Sequence, residues 1–551
     1  MQTWGLLLTF RLKTFVLVFL FSIVVFSQAA EFDVLISNGR IVDGTGNPWY
    51  YGDVGIKDGV ITSIGHIEKP EADRLIDAKG LVVSPGFIDL HTHTDLLGDR
   101  MANSKIRQGV TVDIMGERDS VAPRDGLVNI DEQTDWTTFT EYFDLIEAQG
   151  ISMNIISHVS EGQVRLVVKG YDASPATPDE LEQMKVLVER SLQEGAWGMV
   201  TRFESGGPLH PQEVLELARV VASHDSVYFS HIGSEGFEQQ KEMDFAIRVA
   251  DETGIPVHIL HLKIRGQDLW DQLPDFVNQI QHARDRGLDI TANQYPYTAM
   301  SHGWSANFPL WMREDGPARF AEMLRDNSLR PQIKSDPQFI AWSKEHGWWE
   351  GIVMATASQS EVKLYEGMSL ADIAETRGDR DPADTFITLM ALEGGNIRGV
   401  FHNQSEDNVR LVMRQPWVAV ASDGSAMGIE ATSVRSSGVP HPRNYGTNAR
   451  VLGRYVRETK VLTLEDAIRK MTSLPAQILG MNDRGQITEG FVADVVVFNP
   501  DTVTDTNSYE NPKSYATGVP YVLVNGVLVI DNGNHTGATP GKVLRGPAYK
   551  H

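Results

Sequence analysis

The chain contains no cysteine among its 551 residues. Disulfide bonds and thiolate metal ligands are therefore excluded, so any bound metal must be held by His, Asp, Glu or a modified Lys. Basic residues are also outnumbered: the chain has 49 Lys and Arg against 73 Asp and Glu, which gives a formal net charge of -24. A surface of that sign repels phosphate backbones and anionic lipid, and we expect no nucleic-acid partner.

Long apolar runs are rare, and the one that stands out lies at the N-terminus. A basic stretch precedes the apolar run at 15–26. This run is too short to span a bilayer and has the length of a signal-peptide core. Small residues favour cleavage after Ala29, which predicts a signal peptide over 1–29, a secreted or periplasmic protein and no stable membrane span after cleavage. An uncleaved anchor is the alternative.

The two ends of the remaining chain share one secondary-structure pattern, and the middle of the chain shows a different one. Residues 30–83 and 481–551 show short alternating strands and tight turns, and two such pieces can combine into one sheet domain. Residues 84–480 alternate strand-like and helical patterns, which predicts an α/β protein with a parallel (β/α)8, TIM-like barrel. The strand-like runs are 81–90, 110–115, 151–157, 196–200, 226–230, 256–262, 288–292 and 417–421.

Two features of the central segment complicate the barrel. A ninth apolar run, at 399–402, leaves the strand count open. The stretch at about 303–395 is too long for one connection between barrel elements, and we interpret it as an insertion able to cover the active site.

Potential metal ligands follow five of the strand-like runs. Barrel enzymes place their chemistry at the carboxyl ends of the strands. Alternate strand residues share a face, so both imidazoles of a His-x-His pair can reach one ion. A single histidine at a strand end is usually an ordinary polar residue, so the prediction depends on the whole set: His91, His93, Glu117, His231, His261 and Asp423. His258 should face away from His261, and we interpret it as structural.

The motifs resemble a known family. Residues 84–93 (SPGFIDLHTH) look like the first-strand signature of the amidohydrolase superfamily. Further blocks narrow the resemblance to the D-aminoacylase (N-acyl-D-amino-acid deacylase) family; they are YFSHI at 228–232, HLK at 261–263, YPY at 295–297, SDG at 422–424, HPR at 441–443, MTSLPA at 471–476 and AD at 493–494. The resemblance covers essentially the whole chain after the N-terminal segment.

The resemblance implies a fold and a set of roles. The family fold is a (β/α)8 barrel with a small β-sandwich domain formed from both chain ends. The implied metal ligands are His91, His93, His231, His261 and Asp423, binding one or two zinc ions or another divalent metal. The implied contacts to the free carboxylate of a small-molecule substrate are Lys263, Tyr295 and Arg443, and Ser301 matches a polar position nearby.

Two departures from the family pattern concern the site. Better-known members carry a cysteine ligand after the second strand, whereas this chain has Glu117 there, with Asp119 as the fallback. A carboxylate can replace the thiolate because it bridges hard or borderline ions. Gly233 stands where the family often has arginine.

These observations predict hydrolysis of N-acyl-D-amino acids by a metal-activated water, with Asp423 as the proton carrier. The alternatives are hydrolysis of another linear or cyclic amide, as in dipeptidases, dihydroorotases or hydantoinases, and an inactive secreted metal-binding scaffold. The segment at 198–202 has no lysine, which disfavours the cyclic-amide group with its carbamoylated lysine. The sequence indicates no oligomeric state.

Overall fold

A computed structural model describes residues 30–68, 71–117, 120–124, 135–202, 210–345, 349–430 and 437–550. The predicted signal peptide at 1–29 and the fallback ligand Asp119 lie outside the described residues. In the part of the chain that the structure covers, no helix is long and apolar enough to cross a membrane.

The strands are mostly short. In the described chain they are β1 Phe32–Ile41, β2 Tyr50–Lys57, β3 Val60–Gly65, β4 Ala72–Asp77, β5 Val82–Pro85, β6 Phe87–Asp89, β7 Val110–Met115, β8 Asn154–Ser157, β9 Val159–Ser160, β10 Gly198–Arg202, β11 Val227–His231, β12 Val257–Ile259, β13 Ile290–Gln294, β14 Met300–Gly303, β15 Ile352–Thr356, β16 Arg398–Phe401, β17 Val418–Val420, β18 Val495–Phe498, β19 Tyr521–Val524, β20 Val527–Asp531 and β21 Asn534–His535.

The α-helices alternate with the central strands. They are α1 Asn103–Ile106, α2 Phe139–Gln149, α3 Glu161–Lys169, α4 Pro178–Gln193, α5 Pro211–Ala222, α6 Gln239–Thr253, α7 Leu273–Asp285, α8 Leu310–Arg313, α9 Pro317–Arg325, α10 Arg330–Ser335, α11 Pro337–Glu345, α12 Ser360–Lys363, α13 Leu370–Arg377, α14 Pro382–Leu392, α15 Glu406–Met413, α16 Arg443–Arg450, α17 Leu464–Met471 and α18 Ser473–Ile478.

The central strands form the predicted parallel barrel. Strands β6, β7 and β8 pair in parallel, and so do β9 to β13 followed by β17. A parallel bridge between Thr92 and Gly424 joins the ends of the two groups on one side. On the other side, the Trp197 amide donates to the Ser157 carbonyl at 2.8 Å. All five residues of β11 are buried, as expected for a strand covered on both faces.

Helix α4 shows why the surrounding segments are helical. Thr177 and Glu180 form a reciprocal capping box at its start, and Pro178 occupies the first turn, where no amide donor is needed. Met184, Val188 and Leu192 recur at helical spacing and are buried against the barrel core. The local sequence and the tertiary packing thus favour the same element.

The two chain ends build one β domain. Strand β5 pairs with β1 in parallel and with β18 antiparallel, within a nine-stranded sheet. At the turn between β19 and β20, Asn525 and Gly526 both have positive φ, at 49° and 79°. This is the geometry that a two-residue hairpin needs. The domain limits at 29/30, 83/84 and 480/481 stay predictions.

The segment after β13 folds as a unit of its own. Strands β14, β15 and β16 form a separate antiparallel sheet. Its core packs Trp304 and Phe308 on Phe386, with ring centroids 4.8 and 5.2 Å apart. The ninth apolar run therefore supplies β16 to this sheet. The barrel has eight strands among the described residues when β8 and β9, which only His158 separates, are counted as one.

Candidate metal centre and substrate cavity

The barrel brings the six predicted ligands to one place. Each of them ends or follows a barrel strand: His91 and His93 follow β6, Glu117 follows β7, His231 ends β11, His261 follows β12 and Asp423 follows β17. Parallel strands point their carboxyl ends at the same rim, so residues distant in sequence converge there.

One group of ligand atoms surrounds the first histidine pair. The Nε2 atom of His93 lies 3.0 Å from Oδ1 of Asp423, and the Nε2 atom of His91 lies 3.7 Å from the same oxygen. Oε2 of Glu117 is 3.1 and 3.4 Å from these two Nε2 atoms. A tetrahedral zinc ion about 2.1 Å from each ligand sets neighbouring ligand atoms about 3.4 Å apart. The donor set and its spacing therefore fit a zinc ion.

The second oxygen of each carboxylate faces the other two histidines. Oε1 of Glu117 lies 3.7 Å from Nε2 of His231, and Oδ2 of Asp423 lies 3.8 Å from Nε2 of His261. Both carboxylates thus extend between the two histidine pairs. This arrangement suits two ions sharing bridging oxygens, with Glu117 in the position where a cysteine is missing.

Two of these ligands adopt backbone conformations that are unusual outside glycine. φ is 33° at His261 and 50° at Asp423, and such angles cost about 1 kcal/mol or more. Hydrogen bonds hold them: the His261 amide donates to Oδ1 of Asn293 at 2.7 Å, and the Asp423 amide donates to the His91 carbonyl at 2.9 Å. Strain maintained in this way is typical of a functional site.

The electrostatics favour the protonation states that metal binding needs. Burial lowers the pKa of His93, and burial together with the charge of Lys263 lowers the pKa of His261. Burial alone raises the pKa of Asp423, but Arg443 and His91 outweigh it and hold that pKa well below its usual range. Neutral imidazoles and an ionised carboxylate are the ligating forms.

The residues predicted to bind a substrate carboxylate lie beside the metal ligands. Arg443 donates to Oδ2 of Asp423 at 2.7 Å and to the carbonyl of Ser301 at 3.2 Å. Nζ of Lys263 and Cζ of Arg443 lie 5.3 and 5.2 Å from the ring centre of Tyr295. Gln404 donates to the Tyr295 hydroxyl at 2.9 Å. The structure therefore places two cations against one buried tyrosine ring.

A cavity of about 1080 Å³ opens onto these groups. His93, Glu117, Lys263, Ser301, Asp423 and Arg443 are among its lining residues. Leu310 and Trp342 add an outer wall from the segment after β13, and Gly233 lies in the wall after β11. The volume slightly exceeds the usual range for small-molecule sites, about 300–1,000 Å³.

The sequence interpretation missed one acidic residue in this cavity. Glu235 is buried and places Oε1 2.7 Å from Nδ1 of His261. The same oxygen accepts a hydrogen bond from Lys263. The available signal was a carboxylate four residues after His231, and nothing in such spacing marks it as different from a solvated glutamate. His258 instead bonds Thr291 and Asn293, as its structural interpretation expected.

Residues 74–328 and 389–530 match the amidohydrolase family. The chain belongs to that family. The gap in the match, 329–388, falls in the segment that carries α11 and β15. An N-acyl-D-glutamate deacylase of Alcaligenes xylosoxydans xylosoxydans is 31% identical over 527 residues, covering 94% of this chain and 97% of the relative.

Two solved structures are similar over nearly the whole chain. One is the N-acyl-D-glutamate deacylase of Bordetella bronchiseptica, complexed with zinc and a phosphonate that mimics the tetrahedral intermediate; its TM-score is 0.79 at 28% identity, covering 93% of this chain and 99% of that chain. The other is a D-aminoacylase with a binuclear metal centre, at TM-score 0.76 and 27% identity, covering 93% and 100%.

These likenesses confirm the predicted family, the barrel with its small β domain and the hydrolysis of amide C–N bonds. Zinc is the metal of the Bordetella bronchiseptica structure. The assignments of individual site residues stay predictions.

Proposed function

We propose that this amidohydrolase converts N-acyl-D-amino acids to a carboxylate and a free D-amino acid, using the residues brought together at the barrel rim. The supporting observation is that five of the six potential ligands line one cavity with Lys263 and Arg443, the two cations suited to a substrate carboxylate. The sixth, His91, lies 3.4 Å from Glu117. The relatives named above act on N-acyl-D-glutamate or are D-aminoacylases. A cyclic-amide substrate is less well supported, because β10 ends without a lysine.

In this proposal the metal is held by His91, His93, His231 and His261 together with Glu117 and Asp423. When bound, zinc would supply Lewis acidity and lower the pKa of a coordinated water to about 7. Glu117 would take the place of the family cysteine as a ligand, since its two oxygens face different histidines.

Asp423 is the proton carrier. Arg443 binds its Oδ2 atom at 2.7 Å and keeps the carboxylate ionised, while Oδ1 faces His93. It accepts the proton of the attacking water as the water oxygen bonds to the carbonyl carbon. It then donates that proton to the amide nitrogen as the C–N bond breaks. The products are a carboxylic acid and an amine, and the acid's remaining proton then passes to the amine or to solvent, leaving a carboxylate. No covalent enzyme intermediate forms.

Lys263 and Arg443 bind the α-carboxylate and so fix the substrate beside Asp423. The ring of Tyr295 stabilises both cations through cation–π contacts. Ser301 lines the cavity at the same point. Anchoring the carboxylate and the scissile carbonyl at two fixed points makes the two enantiomers differ in where their side chains go, which is the basis for selecting the D form.

The test is a screen of zinc-loaded protein against paired D and L N-acetyl derivatives of Glu, Asp, Leu and Met. We expect amine release from the D members only. Asp423→Asn, with matched zinc content recorded, is the control for contaminating hydrolase. Equal turnover of both enantiomers refutes the stereochemical part, and no turnover of any pair refutes the proposed substrate class.

We also propose that the protein is exported. The support is the sequence pattern at 1–29 with small residues before the cleavage position. N-terminal sequencing of protein recovered from an expressing bacterium should find a chain beginning at Ala30. A recovered chain that retains residues 1–29 contradicts cleavage and favours the membrane-anchor alternative.

A further inference from the structure

A single buried carboxylate connects the proposed metal centre to the proposed carboxylate-binding site. The side chain of Glu235 is 4% exposed and lies in the loop between β11 and α6. Its Oε1 atom is 2.7 Å from Nδ1 of His261 and also accepts from Nζ of Lys263. None of the roles proposed above uses this residue.

The contact with His261 determines which ring nitrogen can bind a metal. The two atoms are within ion-pair distance at 2.7 Å, although the ring N–H is not aligned on this oxygen in the structure. A rotation of the imidazole ring makes the contact a hydrogen bond to a charged acceptor. When Nδ1 donates its proton to Glu235, the lone pair is on Nε2, which faces Asp423 across 3.8 Å. Histidine ligands are commonly oriented in this way by a carboxylate, and loss of the partner costs 10–100-fold in metal affinity or activity.

The contact with Lys263 holds a buried cation in place. Nζ of Lys263 and Oε1 of Glu235 form an ion pair in which only 5% and 4% of the two side chains are exposed. A backbone hydrogen bond also joins the two loops, because the Arg265 amide donates to the Glu235 carbonyl at 2.8 Å. Gln239 donates to the Lys263 carbonyl at 2.8 Å. The loops after β11 and β12 are therefore joined around this one acidic side chain.

We propose that Glu235 is a positioning residue that sets zinc affinity through His261 and substrate affinity through Lys263. This inference rests on the proposed function, because it takes His261 as a zinc ligand and Lys263 as a substrate-carboxylate contact. Since both partners share one oxygen atom, a change at that oxygen alters both affinities together. The catalytic step itself does not involve Glu235.

The experiment compares Glu235→Gln and Glu235→Asp with wild type. Glu213→Gln is the matched control, because Glu213 is also a buried carboxylate, paired with Arg165, and does not line the cavity. Zinc affinity is measured by competition with a chromogenic chelator. KM and kcat are measured at saturating zinc with the best N-acetyl-D-amino acid. Melting temperatures record any general loss of stability.

For Glu235→Gln we expect an unchanged zinc content at saturation, a zinc Kd raised 10–100-fold and a KM raised about tenfold or more, with kcat within about threefold. Glu235→Asp restores part of both affinities, because it keeps the charge. Glu213→Gln leaves zinc Kd and KM within twofold of wild type even if it melts earlier.

Three results overturn the inference. Unchanged zinc Kd and KM in Glu235→Gln make Glu235 merely structural. A change in only one of the two constants refutes the shared role. Loss of a whole zinc equivalent at saturation makes Glu235 a direct ligand, an outcome its position near His231 and His261 permits. If wild type binds zinc but cleaves no N-acyl-D-amino acid, the proposed function fails, while the zinc measurement still decides the Glu235–His261 part.

Discussion

Replacing Glu117 by glutamine tests the most unusual feature of the proposed metal centre. The substitution keeps the size of the side chain and removes its charge and one metal-ligating oxygen. The Nε2 atoms of His93 and His91 remain 3.0 and 3.7 Å from Oδ1 of Asp423, so one ion still has three ligands. His231 and His261 lose the carboxylate oxygen that lies 3.7 Å from His231. We therefore expect wild type to hold two zinc ions and Glu117→Gln to hold one.

The expected size of the effect follows from ligand energetics. Losing even an indirect partner of a ligand costs 10–100-fold in affinity, and losing a direct ligand costs at least as much. At free zinc ten times the wild-type Kd, occupancy of the weaker site falls from about 91% to between about 50% and 9% for this range of affinity loss. Metal content of protein dialysed against zinc buffers, measured by plasma mass spectrometry, resolves this difference.

Controls make the result specific to position 117. Glu117→Asp keeps the charge on a shorter side chain and should fall between wild type and Glu117→Gln. Glu213→Gln, a buried carboxylate away from the cavity, should keep the wild-type metal content. If Glu117→Gln holds as much zinc as wild type across the titration, Glu117 is not a ligand, and Asp119 becomes the next residue to substitute.

Four further substitutions test other parts of the proposed site and the fold. Arg443→Met removes charge-assisted hydrogen bonds worth about 1.5–3 kcal/mol, so kcat/KM should fall by about 10–150-fold, and an unchanged value contradicts the carboxylate-binding role. Asp423→Asn should lower kcat by about 10²–10⁴-fold in protein assayed at saturating zinc, and wild-type turnover excludes Asp423 as the proton carrier. Burial and the charge of Glu213 raise the pKa of Glu161 to about 7, so the stability of the native protein should fall as pH rises from about 4.5 through 7. Glu161→Gln should remove about 3 kcal/mol of that loss. The measurement is the drop in melting temperature between pH 5 and 8, which should be smaller in the variant. Glu117→Cys should bind zinc but lose activity in dilute peroxide that leaves wild type intact, and equal resistance of both proteins contradicts a ligand role for position 117.

The fold could be predicted from the sequence because the barrel depends on repeated local patterns. Continuous apolar runs such as the one that forms β11 recur along the central segment, and helices such as α4 begin with a capping residue and a proline. The motifs that follow successive strand-like runs then predicted which histidines lie at the carboxyl ends of the barrel strands. The segment after β13 could be recognised only as extra length, since its antiparallel sheet joins strands separated by long connections.

The position of Glu235 could not be predicted from the sequence. Its importance comes from one oxygen placed between His261 and Lys263, which belong to the next strand end. No periodicity encodes that contact, and the same residue in a solvated loop would look identical. The geometry at Glu117 had the same limit: the sequence offered a carboxylate at about the right place, but only the fold shows its two oxygens facing different histidines.

The absence of cysteine and the proposed export of the protein have a connected physical basis. A thiolate that ligates zinc is also the group most readily oxidised, and an exposed site outside the cytoplasm meets oxidants without the reducing pools that restore it. Glu117 is buried but lines the cavity, so a thiolate at this position would meet small oxidants that enter the cavity. A carboxylate there keeps a negatively charged bridging ligand and has no comparable oxidation chemistry. A carboxylate in place of a thiolate at this one position therefore gives the metal centre the same ligand charge with a harder, redox-inert ligand, which would suit the proposed export.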